Sequence, residues 1–214
     1  FEFQFSGPGG HSFGAFGLAS ATNAMGRTIN KIADFETPSF PKTTFTVGTV
    51  AGGTSVNSIA ADAVFALDMR SNDREQLALL EERAKAAAVE AVAEENARWN
   101  NGEIRVDFVL IGDRPVGRTA IEDSLVQAAA LSFDKVGIEL QQLSISSTDS
   151  NVPMSLGIPA ITIAGGGNGG GAHSPDEWFI PTNSHEGPQT SFLITLAMVG
   201  IQGVDTGLLE QQNR

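Results

Sequence analysis

The 214 residues carry 41% hydrophobic and 18% charged side chains, the balance of a soluble globular chain, and suffice for one large domain or two small ones. A formal net charge of −12 excludes a general nucleic-acid or anionic-membrane surface. With no cysteine, disulfides and thiolate metal sites are excluded as well, so any zinc must be held by His, Asp or Glu. Phe1, Phe3 and Phe5 alternate with Glu2, Gln4 and Ser6, which predicts a strand with one buried face, ended by Gly-Pro-Gly-Gly at 7–10. Leu18, Ala21, Met25, Ile29 and Ile32 recur at three- and four-residue spacing and predict a helix over residues 12–32. Residues 43–50 are rich in β-branched side chains and read as a second strand; Ala63, Phe65, Leu67 and Met69 mark a third. A long helix is expected over 73–99, with a core stripe of Leu77, Leu80, Ala84, Ala88 and Ala91, stopped by Asn100-Asn-Gly. Ile104, Val106, Phe108 and Leu110 alternate in a fourth strand. The order βαββαβ predicts a ferredoxin-like domain over residues 1–114.

Residues 115–214 have another rhythm. Pro115 to Arg118 read as a linker, and Ile121, Leu125, Ala129, Phe133 and Val136 predict a helix, followed by a strand over 139–145. A polar loop, Ser-Ser-Thr-Asp-Ser-Asn at 146–151, leads into a short helix, an apolar strand over 158–164 and a last apolar helix. Alternating helix and strand predicts a parallel α/β layer, although two or three strands make only part of such a domain. The apolar run at 192–204 falls short of the roughly 20 residues that span a bilayer and reads as a buried helix. The chain begins at Phe1 without methionine and shows no signal sequence, so either something was removed upstream or the chain is a fragment; its sequence leaves the compartment open, the cytoplasm being the first expectation.

The densest chemical signal lies at 165–178, Gly-Gly-Gly-Asn-Gly-Gly-Gly-Ala-His-Ser-Pro-Asp-Glu-Trp. Glycines there let backbone pack closely around a ligand and free N–H groups to point at it, and His173 can bind a metal or move a proton. Ser174, Pro175 and Glu177 have the pattern of a capped helix start, and Glu177 is alternatively a carboxylate partner of His173. His185 reads as a solvated residue at a helix start. Asp149 sits in the polar loop at what would be the carboxyl edge of the sheet. Arg70 ends a strand on the face opposite Phe65, Leu67 and Met69, suited to a carboxylate. Asn57 follows Gly52-Gly53 in a loop. Gly10-His-Ser-Phe-Gly14 matches a nucleophile elbow with Ser12 as nucleophile and Asp149 and His173 or His185 downstream, but a half-polar strand precedes it where that motif needs a central apolar one.

Gly7-Pro-Gly-Gly-His-Ser12, Gly52-Gly53…Asn57 and Leu67-Asp-Met-Arg70 resemble, in that order, the dimerisation (lid) domain of the M20 family of zinc-dependent exopeptidases and amidohydrolases. Thr148-Asp149, Gly157-Ile-Pro159 and the glycine loop ending in His173-Ser-Pro-Asp-Glu-Trp178 resemble the C-terminal part of that family's catalytic domain. The resemblance implies a homodimer formed through the lid and a peptide or N-acyl amino-acid substrate. It implies a two-zinc site (cobalt or manganese being other metals it could take), with His173 as one ligand. His11 would reach into the partner's site as an oxyanion donor. Asn57, Arg70 and the backbone of Gly166, Gly167, Gly169 and Gly170 would hold substrate, with Asp149 and Glu177 supporting the ligand. The family's His-x-Asp pair, bridging Asp and Glu-Glu pair precede the lid and have no counterpart here. The expectation is therefore a lid plus the C-terminal part of a catalytic domain, inactive by itself. A non-catalytic dimerisation or ligand-binding module is the alternative from another class.

Overall fold

The computed structural model describes residues 1–140 and 143–209, which form two compact units divided between Asp113 and Arg114. In the first unit the elements are β1 (Glu2–Ser6), β2 (Gly10–His11), α1 (Ala21–Ala33), β3 (Thr43–Gly52), β4 (Ser58–Ile59), β5 (Asp62–Ser71), α2 (Arg74–Trp99) and β6 (Arg105–Val109). Four strands make an antiparallel sheet in the order β3-β5-β1-β6, with the two helices on one face, as βαββαβ periodicity requires. Register follows the aromatic alternation. Phe3 stands opposite Phe65 on one side and Phe108 on the other. The Phe3 and Phe65 rings stack at 4.7 Å, and Phe108 meets Phe3 edge-on at 5.1 Å. Met25 and Ile32 of α1 and Ala84, Ala87 and Ala88 of α2 close over these rings.

Helix α1 is shorter than its apolar spacing predicts. Residues 12–17 form turns, Gly17 has φ of +103°, and the helix begins only at Ala21. Gly10 and His11, expected in the turn between β1 and the helix, instead pair with Ser58 and Ile59 in a second, two-stranded sheet. Helix α2 matches its predicted span. Asp73 caps its start by accepting the Gln76 N–H at 2.8 Å, and Asn100 ends it in the left-handed region at φ 49°.

The second unit contains α3 (Ser124–Val136), α4 (Asn151–Ser155), β7 (Asn168–Gly170), β8 (Trp178–Ile180) and α5 (Glu186–Val199). Its buried core is small: Ala128, Ala129, Ile194 and Met198, with Leu125, Ile161 and Ile163 packed against them. The expected parallel layer is not formed by the described residues, whose strands in this unit are the antiparallel hairpin β7-β8. Residues 158–164 pair with no neighbour, although Ile161 and Ile163 turn inward while Thr162 and Ala164 stay exposed. The Thr119 hydroxyl supplies what a ladder would at Ala160, donating to its carbonyl at 2.6 Å and accepting from its N–H at 3.0 Å. A strand needs a neighbour for its backbone groups, and periodicity cannot say whether one is present. The strand expected over 139–145 falls partly on residues 141–142, outside the described residues; the rest of that stretch is not strand.

Candidate functional site

Two groups of the predicted residues are built differently. The first is the β2-β4 corner. Beyond the pairing of His11 with Ser58, the Ser12 N–H donates to the Asn57 carbonyl at 2.9 Å, so the chain brings His11 and Asn57 side by side. The turn that follows folds back over the imidazole: the N–H groups of Phe13 and Gly14 both donate to His11 Nδ1, at 3.3 and 3.2 Å. Nδ1 is thereby an acceptor, and the proton of the neutral ring belongs on Nε2. His11 is exposed, and Nε2 has no hydrogen-bond partner among the described residues. The Asn57 side-chain oxygen accepts from the Ser55 hydroxyl at 2.9 Å, which leaves its amide N–H₂ as the outward donor. The corner therefore presents N–H donors, the chemistry that stabilises a developing oxyanion or holds a carbonyl. Phe13 and Val56, both almost wholly exposed, flank it.

Arg70 is not part of that corner. It lies eight residues along β5 from Asp62, the end nearer β4, a run of about 26 Å at strand rise. Its guanidinium is exposed and its Nε donates to Asp68 Oδ2 at 2.7 Å. A pair this open holds the side chain loosely and leaves the remaining donors for a carboxylate.

The second group is the glycine loop. Gly169 and Gly170 pair with Phe179 and Trp178 in the β7-β8 hairpin, so part of the expected open loop is strand. A side chain at Gly167, where φ is +77°, would strike the Phe179 ring at 2.7 Å. Much of the glycine content thus answers the loop's packing on its own chain. The helix start expected at Ser174 is absent, because β8 begins at Trp178 and residues 171–177 must close the hairpin. Ser174 Oγ donates to the Gly171 carbonyl at 2.7 Å and accepts from the Asp176 N–H at 3.2 Å. His173 sits at the tip with φ of +63°, the left-handed region that residues other than glycine enter at an energetic cost, though His, Asn and Asp do so more often than most. Its N–H donates to Glu177 Oε2 at 3.3 Å, so Glu177 supports the histidine through its backbone. Asp149 is engaged elsewhere, accepting from Arg114 Nη2 at 3.1 Å.

Among the described residues no group of three or more His, Asp or Glu side chains is placed to hold a metal ion. A catalytic zinc needs three protein ligands, so these residues do not by themselves make its site. His185 caps the exposed start of α5 without a side-chain hydrogen bond to it. Ser12 has no hydrogen bond from its hydroxyl to a histidine or aspartate among the described residues, and no helix follows it directly, so the nucleophile-elbow geometry is not formed. No helix among the described residues is long and apolar enough to cross a membrane.

One polar cluster escaped the sequence reading. Glu95, wholly buried in α2, accepts from the Ser20 N–H (3.2 Å), Asn23 Nδ2 (3.2 Å) and Trp99 Nε1 (2.9 Å) on Oε1, and from Arg27 Nε (3.1 Å) on Oε2. The signal was present: Glu95 continues the 84, 88, 91 stripe by four residues, so a carboxylate falls on the core face.

Comparison with known proteins bears on the first unit above all. Residues 1–96 match the family described as the peptidase dimerisation domain. The fold is shared with a tripeptidase from Staphylococcus aureus (17% identity, TM-score 0.64, covering 90% of this chain and 49% of that one). It is shared also with the aminopeptidase PepT from Bacillus cereus (22%, 0.59, 90% and 48%) and with an amidase of the hydantoinase/carbamoylase family from Burkholderia vietnamiensis (17%, 0.64, 91% and 46%). The chain spans about half the length of these structures. No curated protein sequence matches it. The βαββαβ sheet, its added β2-β4 corner and the match over the same residues agree: residues 1–96 are similar to the M20-type peptidase dimerisation domain.

Proposed function

We propose that the chain is the lid and the C-terminal catalytic segment of a dimeric, two-metal M20 hydrolase that cleaves peptide or N-acyl amide bonds. The observation that carries this reading is the form of His11: Nδ1 is tied to two backbone N–H groups, which fixes Nε2–H as an outward donor. Such a donor acts where an amide carbonyl becomes an oxyanion, with Asn57 beside it to hold the carbonyl. Arg70 pairs with the substrate carboxylate. In this reading His11 serves the partner subunit's site while Arg70 serves its own, a division supported by the separation of Arg70 from the His11 corner along β5. His173 is one metal ligand, supported by Glu177 through its backbone N–H, with the remaining ligands outside these 214 residues. The native metal is zinc in this reading, and the 214-residue chain alone neither retains it stoichiometrically nor hydrolyses substrate. Among the described residues of the second unit eighteen large apolar side chains, Trp178, Phe179 and Ile180 among them, are exposed, as expected where the rest of a domain packs.

The test is complementation in the full-length protein, assayed with dipeptides and N-acyl amino acids. His11→Gln and Arg70→Met are each expected to lower kcat/KM by about 10²- to 10³-fold. When the two variants are unfolded together and reassembled, half of the dimers are mixed, and each mixed dimer has one intact site. Activity should return to about a quarter of wild type. No recovery on mixing would refute the division of residues between subunits, and unchanged activity of His11→Gln would refute the oxyanion role.

A further inference from the structure

The buried Glu95 carboxylate belongs to no part of the machinery described above, yet one of its four donors, the Ser20 N–H, ends the segment that carries His11, and another, the Trp99 indole, meets a ring of that segment. Residues 11–20 form a single hydrogen-bonded string. At one end Ser12 is held to Asn57 of the β2-β4 corner; inside it, Ala15 N–H donates to the His11 carbonyl at 2.8 Å and Leu18 N–H to the Ala15 carbonyl at 3.2 Å. At the other end Ala19 N–H donates to the Asn101 carbonyl at 3.0 Å and Ser20 N–H to Glu95. Glu95 also grips the Trp99 indole N–H, and the Trp99 ring meets Phe16 edge-on at 5.4 Å, at the outer side of the turn. Phe16 is largely exposed; its ring meets Trp99, and its N–H donates to the Phe13 carbonyl at 3.4 Å. Ser20 does not cap α1 with its own hydroxyl, which lies 3.0 Å from Thr22 Oγ1; a carboxylate from the neighbouring helix stands at the start of α1 instead.

We infer that Glu95 is a positioning residue for His11. By fixing Ser20 and the Trp99–Phe16 contact, it holds the 13–17 turn where the Phe13 and Gly14 N–H groups meet Nδ1, and so keeps the ring proton on Nε2. The inference rests on the role proposed for His11 only for its functional meaning, because the experiment reads the imidazole directly.

The test uses the 214-residue chain and ¹⁵N NMR of its three histidine rings, with His11→Gln assigning the His11 signals. In the wild type, neutral His11 should show an acceptor Nδ1 and a protonated Nε2, with slow exchange at the Phe13 and Gly14 amides. Glu95→Leu should mix the two tautomers and speed exchange at those amides about tenfold, the effect of losing roughly one hydrogen bond's net stabilisation. Glu95→Gln keeps an oxygen acceptor for Ser20 and Trp99 and should restore the wild-type signature. Phe16→Ala leaves the core untouched and should give the Glu95→Leu signature; it decides the matter if Glu95→Leu does not fold. An unchanged tautomer and unchanged amide exchange in Phe16→Ala, or in a folded Glu95→Leu, overturns the inference. That result would leave the complementation experiment unaffected, so the two ideas fail separately.

Discussion

Replacing Phe65 by alanine tests the register on which the whole first unit is built. The side chain is 0% exposed, stacks on Phe3 at 4.7 Å and lies 6.0 Å from the Phe5 ring. Deleting a buried phenylalanine ring loses its transfer free energy and leaves a cavity, together about 3–5 kcal/mol. Two ring contacts are lost as well, and aromatic pairs contribute about 0.5–1.5 kcal/mol beyond their buried area. The expected loss therefore falls in the upper part of the range, about 4–5 kcal/mol. Urea unfolding followed by Trp99 fluorescence measures it, in a Trp178→Phe background that silences the only other tryptophan. Val64→Ala, one residue away and on the other face, should lose less than about 1 kcal/mol. If too little Phe65→Ala protein folds, Phe65→Leu reads the same site with a loss of about 1–2 kcal/mol. A one-residue slip of β5 would turn Phe65 to the open face. A loss below about 2 kcal/mol for Phe65→Ala, or a larger one for Val64→Ala, would refute the assigned register.

Two further outcomes are expected. Asn100 ends α2 at φ 49°, so Asn100→Ala should destabilise by about 1 kcal/mol while Asn100→Gly should be neutral or stabilising, as read by the midpoint of thermal unfolding. The Lys31 ammonium is held above its ordinary value of 10.5 by its hydrogen bonds to Glu94 (2.8 Å) and Glu90 (3.0 Å). A group raised in the folded state contributes stability that is complete below its unfolded pKa and is lost as pH rises through the folded one. Wild type and Lys31→Met should thus differ by a constant amount from about pH 6, where Glu90 and Glu94 are ionised, to about pH 10 and converge above it; a gap that widens in alkali would refute the linkage.

The elements of the first unit were legible because each carries its own period. Alternating apolar side chains wrote β1, β5 and β6, and an alanine stripe with Asp73 and Asn100 at its ends wrote α2. Helix α1 was overextended because Leu18 keeps the helical spacing, while Gly17 at φ +103° ends any helix before it. The second unit was less legible. The apolar alternation at 158–164 is real and Ile161 and Ile163 do face inward, but a strand exists only where a neighbour takes its hydrogen bonds. Likewise Ser174-Pro-Asp-Glu has the local chemistry of a helix start, and the pairing of Gly170 with Trp178 leaves no room for one.

The same division holds at the candidate site. Residue type and the glycine loop singled out His173 as a metal-binding imidazole, whereas the roles expected of His11, Asn57 and Arg70 came from the family resemblance. The tertiary structure decided how they are grouped: His11 beside Asn57 with its proton set on Nε2, Arg70 some strand-length away, and His173 on a hairpin tip with Glu177 at its backbone. Glu95 shows the limit in a single residue. Its place on the alanine stripe was readable from the sequence, whereas the Ser20, Asn23, Arg27 and Trp99 groups that make its burial tolerable come mostly from a helix some seventy residues away. Periodicity is a local property of the chain and survives in the sequence; hydrogen-bond partnership between distant segments is not, and exists only once the chain has folded.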